Sequence, residues 1–97
     1  MVHRDLKPAN ILWLPRLNAW TIIDFACAAP CGQVREPAFT LQYAAPEAVR
    51  AAACGEGMIV SAELDSWSLG VVAFELLTGE AWTPRDMSKQ QVPLFPQ

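Results

Sequence analysis

Residues 62–78, AELDSWSLGVVAFELLT, carry apolar side chains most of the way round a helical wheel: Leu64, Trp67, Leu69, Val71, Val72, Ala73, Phe74, Leu76 and Leu77. A surface helix needs one apolar stripe; a helix apolar on nearly all sides is expected to be buried on nearly all sides. Ser61 stands at the capping position, Glu63 and Asp65 lie near the positive end of the helix dipole, and Gly79 follows the last turn. The chain has only 97 residues with which to cover this helix, and 53% of them are hydrophobic. A chain this short buries a smaller share of its surface than a large one. The apolar excess therefore points to surface made for a partner that is absent.

The remaining pattern predicts one small α+β domain. ILWL (11–14) and WTIID (20–24) are short, apolar and rich in Ile, Trp and Thr, and PRLNA between them brings the turn formers Pro15 and Asn18. That spacing predicts a β-hairpin. Residues 25–45 show no sustained period and read as one long loop, of the kind that is usually functional. PEAVRAAAC (46–54) predicts a short helix, with Pro46 at its first position and Gly55 just past its end. EGMIV (56–60) reads as a link. The domain reading is residues 1–80 as one unit and 81–97 as a tail, either the start of a following helical region or artefactual sequence.

Seven basic against ten acidic residues, with no basic stripe, speak against nucleic acid as a partner. No apolar run approaches the ~18 residues of a membrane helix. The start lacks the pattern of a secretory signal. The three cysteines, at 27, 31 and 54, read as reduced small hydrophobes, since one distant His3 does not complete a zinc set and an odd count does not make a disulfide framework. Together these features predict an intracellular chain, cytoplasmic or nuclear.

The hairpin gives the polar residues a meaning. Asn10 precedes the outgoing strand and Asp24 ends the returning one, so both lie at its open end. An amide oxygen and a carboxylate facing one spot suit Mg²⁺, which takes one or two protein oxygens and keeps the rest for water and phosphate. Asp5 and Lys7 lie just before Asn10 and reach the same neighbourhood. A potential base, a cation and two metal ligands are what phosphoryl transfer calls for. Taken singly, Asp24 could be a turn residue and Asn10 a turn cap; their occurrence together with Asp5 and Lys7 lifts both.

At this point the chain resembles a eukaryotic protein kinase. HRDLKPAN (3–10) matches the catalytic loop H-R-D-L-x-x-x-N, DFA (24–26) resembles D-F-G, APE (45–47) matches A-P-E, and DSWSLGVVAFELLTG (65–79) resembles the family's long central helix. The resemblance covers residues 2–80. It implies a kinase C-terminal lobe, mainly helical, in which the short hairpin carries the catalytic and Mg²⁺-binding loops. It implies that Asp5 is the catalytic base, that Lys7 steadies the transferring phosphoryl group, and that Asn10 and Asp24 hold Mg²⁺. A Lys two residues after the Asp is the Ser/Thr-kinase pattern. Thr40 is implied to bond the base and its Lys, Leu12 to lie beneath the adenine of ATP, His3 and Phe25 to pack together, and Asp65 to anchor the backbone of the catalytic loop.

The departures from the family pattern are specific. Ala26 replaces the Gly of D-F-G and restricts the loop, and Phe39 stands where Gly often precedes Thr40. The segment from Asp24 to Glu47 is short, with no Ser and with Thr40 and Tyr43 as its only hydroxyl residues. The resemblance implies a phosphate on this segment for Arg4. Here the expectation is activation without loop phosphorylation, with Glu36 standing in as a fixed carboxylate or Arg4 left unpaired. No G-x-G-x-x-G loop, V-A-I-K strand or helix with its partner Glu occurs in the 97 residues. The expected parent therefore holds an N-terminal lobe ahead of Met1, and later helices bearing the Arg that pairs with Glu47. The chain reads as a fragment, from a partial gene model or transcript, of a Ser/Thr kinase that moves the γ-phosphoryl of ATP to a protein hydroxyl. Without the ATP clamp the isolated chain is expected to be inactive. Two alternatives stand beside it. One is a non-catalytic interaction module or pseudokinase-like fragment. The other is a small-molecule phosphotransferase, against which the A-P-E motif and the activation segment speak.

Overall fold

Asn18, with φ of +50°, lets the chain reverse between two four-residue strands, β1 (Ile11–Leu14) and β2 (Ala19–Ile22). A short polar side chain tolerates that left-handed backbone better than a bulky one. The strands are antiparallel, pairing Ile11 with Ile22, Leu12 with Thr21, Trp13 with Trp20 and Leu14 with Ala19. Side chains alternate across a strand, so Ile11, Trp13, Trp20 and Ile22 share one face and Leu12 and Thr21 the other. Pairing runs one step past the strands, because the Ile23 N–H donates to the Asn10 carbonyl at 2.9 Å. The computed structural model describes residues 1–80; the tail reading for 81–97 lies outside them.

The long stretch 25–45 is more ordered than its sequence suggests. Val34–Arg35 (β3) pairs antiparallel with Met58–Ile59 (β4), within what reads in the sequence as a link, and Leu41–Tyr43 closes a 3-10 turn. The β3–β4 ladder is extended by the Val60 N–H donating to Gln33 and the Gly32 N–H donating to Val60, both at 2.8 Å. Two-residue strands are too short for an alternating pattern to register, and backbone bonds supply the order instead.

Helix α1 covers Pro46–Ala53, with Pro46 where its missing N–H has no helical partner to lose. It ends as its sequence predicts. Gly55 is left-handed at φ +69°, its N–H donates to Ala52 at 3.1 Å, and the Glu56 N–H donates to Ala51 at 2.9 Å. This pair of bonds satisfies the last carbonyls of the helix. Helix α2 covers Ala62–Thr78 and stops at Gly79, φ +72°, whose N–H donates to Glu75. Ser61 occupies the capping position with extended backbone, but its hydroxyl makes no cap bond; its carbonyl accepts the Leu64 N–H.

The core is small and built mostly from small residues. Val2, Ala29, Ala45, Ala48, Val60 and Leu64 form one buried cluster, with Phe39, Met58 and Trp67 packed against it. Val2 and Ala29 exchange both backbone bonds, at 2.8 and 3.0 Å, which fixes the start of the chain against the 25–45 stretch. The expectation of a helix buried all round is not met among the described residues. Leu64, Ser68, Val71 and Val72 are buried, whereas Leu76 and Leu77 are 81% and 86% exposed and Leu69 and Phe74 are also open. The described elements cover only one side of α2.

Candidate active site

The first residues are held in place by the start of α2. The Asp65 carboxylate accepts the His3 N–H through Oδ2 at 2.8 Å and the Arg4 N–H through Oδ1 at 2.9 Å. Arg4 is left-handed, at φ +72°, which costs a non-glycine residue about 1–2 kcal/mol. Two charge-assisted bonds on consecutive amides offset that cost. His3 is 6% exposed. Its Nδ1 accepts the Asp5 N–H at 3.1 Å and its Nε2 faces the Ile23 carbonyl at 3.0 Å, so those partners select the tautomer protonated on Nε2. His3 thus joins the stretch 3–10 to the return strand just ahead of Asp24. Its ring meets Phe25 edge-on, with centroids 5.0 Å apart, as expected; Phe25 is otherwise open, at 57% exposure.

Three of the sequence-predicted residues meet directly. Lys7 Nζ donates to Thr40 Oγ1 at 2.7 Å, and the Thr40 hydroxyl donates to Asp5 Oδ1 at 3.0 Å. Lys7 Nζ lies 3.8 Å from Asp5 Oδ2. A cation, a hydroxyl and a carboxylate therefore form a closed, part-buried triangle. The 3-10 turn Leu41–Tyr43 begins immediately after Thr40. The Ser68 hydroxyl on α2 donates to the Tyr43 carbonyl at 2.7 Å, fixing the turn from below.

Asn10 and Asp24 sit at the open end of the hairpin. Asn10 is 5% exposed and its Nδ2 donates to the Asp5 carbonyl at 2.8 Å, so the amide's acceptor is its other end. Asp24 is exposed, with φ +60°, and its Oδ1 accepts the Ala26 N–H at 3.3 Å. One amide oxygen and one carboxylate suit a hard cation that brings its own waters and phosphate oxygens. No cluster of three or more His, Cys, Asp or Glu that could hold a metal occurs among the described residues. Mg²⁺ here would depend on the nucleotide for the rest of its ligands. Leu12 is 41% exposed in β1, on the face opposite the two tryptophans.

Two further groups have altered acidity. The Cys27 thiol is pushed up by burial and by the Asp5 and Asp24 carboxylates, which keeps it protonated. The Tyr43 phenol is raised to about 12 by burial, reinforced by its hydrogen bond to Glu75 and that group's charge. Sequence reading missed both Tyr43–Glu75 and Ser68–Tyr43. The available signal was Ser68 itself, a polar residue on the helix face that carries Leu64, Val71 and Val72.

Arg4 corrects an expectation. Its Nε donates to the Cys27 carbonyl at 2.7 Å and its Nη1 to the Glu36 carbonyl at 3.0 Å. It is neither unpaired nor matched to the Glu36 carboxylate, because the contact runs through main-chain oxygen.

The comparisons with known proteins identify the family. The protein kinase domain family model matches residues 1–94. The chain is 40% identical over 87 residues to mouse ribosomal protein S6 kinase alpha-4, covering 82% of the chain and 10% of that protein. It is 38% identical over 81 residues to human serine/threonine-protein kinase SBK2, covering 81% of the chain and 23% of that protein. The PknB serine/threonine-protein kinase of Mycolicibacterium smegmatis is 40% identical over 87 residues, covering 82% of the chain and 13% of its own length. The structure of the Cydia pomonella granulovirus kinase PK-1 superposes with a TM-score of 0.70 at 25% identity, over 98% of this chain and 34% of that one. The chain thus spans between a tenth and a third of these relatives. With the family model matching nearly its whole length and a kinase-like fold around the Asp5–Thr40–Lys7 triangle, the chain belongs to the protein kinase family.

Proposed function

We propose that residues 1–80 are the middle of the C-terminal lobe of a Ser/Thr protein kinase, and that the whole protein moves the γ-phosphoryl group of ATP to a Ser or Thr hydroxyl of a protein. The observation that carries this reading is the triangle of Asp5, Thr40 and Lys7, with bonds of 2.7 and 3.0 Å through one hydroxyl. In the reaction, the substrate hydroxyl oxygen attacks the γ-phosphorus, the bond to the ADP oxygen breaks, and the hydroxyl proton passes to the Asp5 carboxylate. Lys7 holds positive charge against the transferring phosphoryl oxygens. Thr40 keeps the Asp5 and Lys7 side chains in register. Asn10 and Asp24 would hold Mg²⁺, which supplies charge neutralisation on the phosphates when bound. Leu12 offers an apolar contact for the adenine. Three free thiols and ATP chemistry both suit a cytoplasmic or nuclear setting.

The 97 residues alone are proposed to be inactive, since their sequence contains no glycine-rich phosphate loop and no V-A-I-K lysine. The test is therefore on the full-length protein that carries this chain. Asp5→Asn is expected to abolish transfer of labelled phosphate to a protein substrate while retaining nucleotide binding, and Asp24→Asn to lose Mg²⁺-dependent nucleotide turnover. Normal turnover in either variant refutes the roles. A second reading, a non-catalytic interaction module, is favoured by the open apolar side of α2 with Leu69, Phe74, Leu76 and Leu77. A stable, monodisperse 97-residue product in cells supports that reading, and an aggregated one counts against it.

A further inference from the structure

Phe39 immediately precedes Thr40, at a position where the family pattern often has Gly. Its ring packs against the buried cluster of Val2, Ala29, Ala45, Ala48, Val60 and Leu64. Three of those six residues are alanines, so the cluster leaves a hollow that its own side chains do not fill. Phe39 and Met58 supply the missing bulk. The cavity that they border together with Ala45, Ala48 and Leu64 is only about 20 Å³, room for one water. Thr40 has extended backbone, with φ of −98° and ψ of 120°, and neighbouring side chains along an extended chain point to opposite sides. With the Phe39 ring seated against the core, the Thr40 side chain is sent the other way, to Lys7 Nζ at 2.7 Å and Asp5 Oδ1 at 3.0 Å. On its far side Thr40 runs into the 3-10 turn that Ser68 holds through the Tyr43 carbonyl.

We propose that Phe39 is a positioning residue: its ring, seated on the alanine-lined hollow, sets where Thr40 presents its hydroxyl to Asp5 and Lys7. This role rests on the proposed phosphoryl-transfer function and adds a residue to it. A glycine at 39 would leave the backbone ahead of Thr40 free to take many conformations. A phenylalanine restricts that backbone and adds an anchor of large contact area. Bulk at 39 and smallness at 45 and 48 are two halves of one device, since a larger side chain at either alanine would compete with the ring for the same space.

The test uses the full-length protein and a graded series, Phe39→Leu, Phe39→Val and Phe39→Ala, which removes bulk in steps without giving the backbone a glycine's freedom. Turnover should fall along the series, with kcat down about 10- to 100-fold at Phe39→Ala, the scale of a small displacement in a catalytic site. Phe39→Leu keeps an apolar filler and should keep most of the activity. The KM for ATP should hold throughout, because Asn10, Leu12 and Asp24 belong to the hairpin and not to this contact. Hydrogen exchange should quicken in Phe39→Ala at the amides of Tyr43 and Ala44, bonded to the Thr40 and Leu41 carbonyls, and stay as in wild type at Ile23, bonded to Asn10. A ring that served stability alone would lower the melting temperature along the series and leave the kcat of the folded protein flat. That result overturns the proposal, and so does a KM for ATP that rises as bulk is lost. Should Phe39→Ala not fold, the kcat of Phe39→Leu and Phe39→Val against wild type decides in the same way. Failure of the kinase reading looks different, because wild-type protein would then transfer no phosphate while exchange at Tyr43 would still respond to the loss of the ring.

Discussion

The Asp65 carboxylate at the start of α2 accepts the backbone N–H of His3 at 2.8 Å, joining residues 62 positions apart in the chain. Its second oxygen accepts the next amide, that of Arg4, which stands in left-handed backbone. An Asn at position 65 keeps one acceptor and turns an NH₂ toward an N–H, leaving one of the two amides unmatched. Asp65→Asn is expected to lower unfolding free energy by about 2–3 kcal/mol, the range for a hydrogen bond to a charged group with its partner left unmet. Urea unfolding of the full-length variant against wild type checks it; equal midpoints would mean that the anchor contributes nothing to stability.

Thr40 links the proposed base and cation through one hydroxyl. Thr40→Ser keeps the hydroxyl and is expected to retain most of the activity. Thr40→Val keeps the shape without the hydroxyl and should lower kcat by about 10- to 100-fold by letting Asp5 and Lys7 drift apart. Because neither change touches Asn10 or Asp24, nucleotide affinity should hold in both. Steady-state kinetics on the three proteins separate the outcomes, and a Val variant as fast as the Ser variant would remove Thr40 from the machinery.

Much of this site was legible before any coordinates, for a physical reason. Asp5 and Lys7 lie just ahead of the hairpin, and Asn10 and Asp24 flank its two strands, and such fixed spacing is what a linear sequence records well. The hairpin, α1 and α2 were legible because turn formers, Pro46, Gly55 and Gly79 mark their ends. What was hidden depends on backbone groups, which look alike in every residue. The β3–β4 ladder is made by Val34–Arg35 and Met58–Ile59, too short to show a period. The Arg4 clamp closes on the carbonyls of Cys27 and Glu36, so an expectation built on side-chain charge looked to the Glu36 carboxylate instead. The helix-wide apolar pattern of α2 was read correctly as composition, yet it does not say which neighbours cover the helix.

The phenol of Tyr43 carries a pH signature. Its folded value is raised to about 12 from an ordinary value of 10.0, first by burial and then by Glu75. Above pH ~10 the unfolded chain ionises this phenol while the folded chain keeps its proton. The unfolded state then binds fewer protons, so stability falls with rising pH. The contribution is whole below about 10 and is lost progressively toward about 12. Tyr43→Phe has no proton to lose and should flatten this part of the curve. Denaturant midpoints of wild type and Tyr43→Phe, measured across the alkaline range, should approach one another as pH rises from 10 to 12. Parallel curves over that range would assign the alkaline loss to other groups.

The tryptophans of the hairpin test whether it is more than a carrier for Asn10 and Asp24. Trp13 and Trp20 are register partners on one face, with ring centroids 5.2 Å apart and planes tilted by 59°. Both are substantially exposed, at 43% and 68%, so their contact adds little buried area and acts mainly between the two rings. Cross-strand aromatic pairs of this geometry are worth about 0.5–1.5 kcal/mol. A double-mutant cycle with Trp13→Ala, Trp20→Ala and the double variant should give a coupling energy in that range. The hairpin also fixes the site, because the Ile23 N–H to Asn10 carbonyl bond closes its open end next to Asp24. Loosening the pair should therefore weaken Mg²⁺-dependent nucleotide binding more than it slows transfer at saturating nucleotide. If the cycle gives coupling near zero, the rings only share a surface; if it gives coupling but binding is unchanged, the strands hold Asn10 and Asp24 without help from the tryptophans.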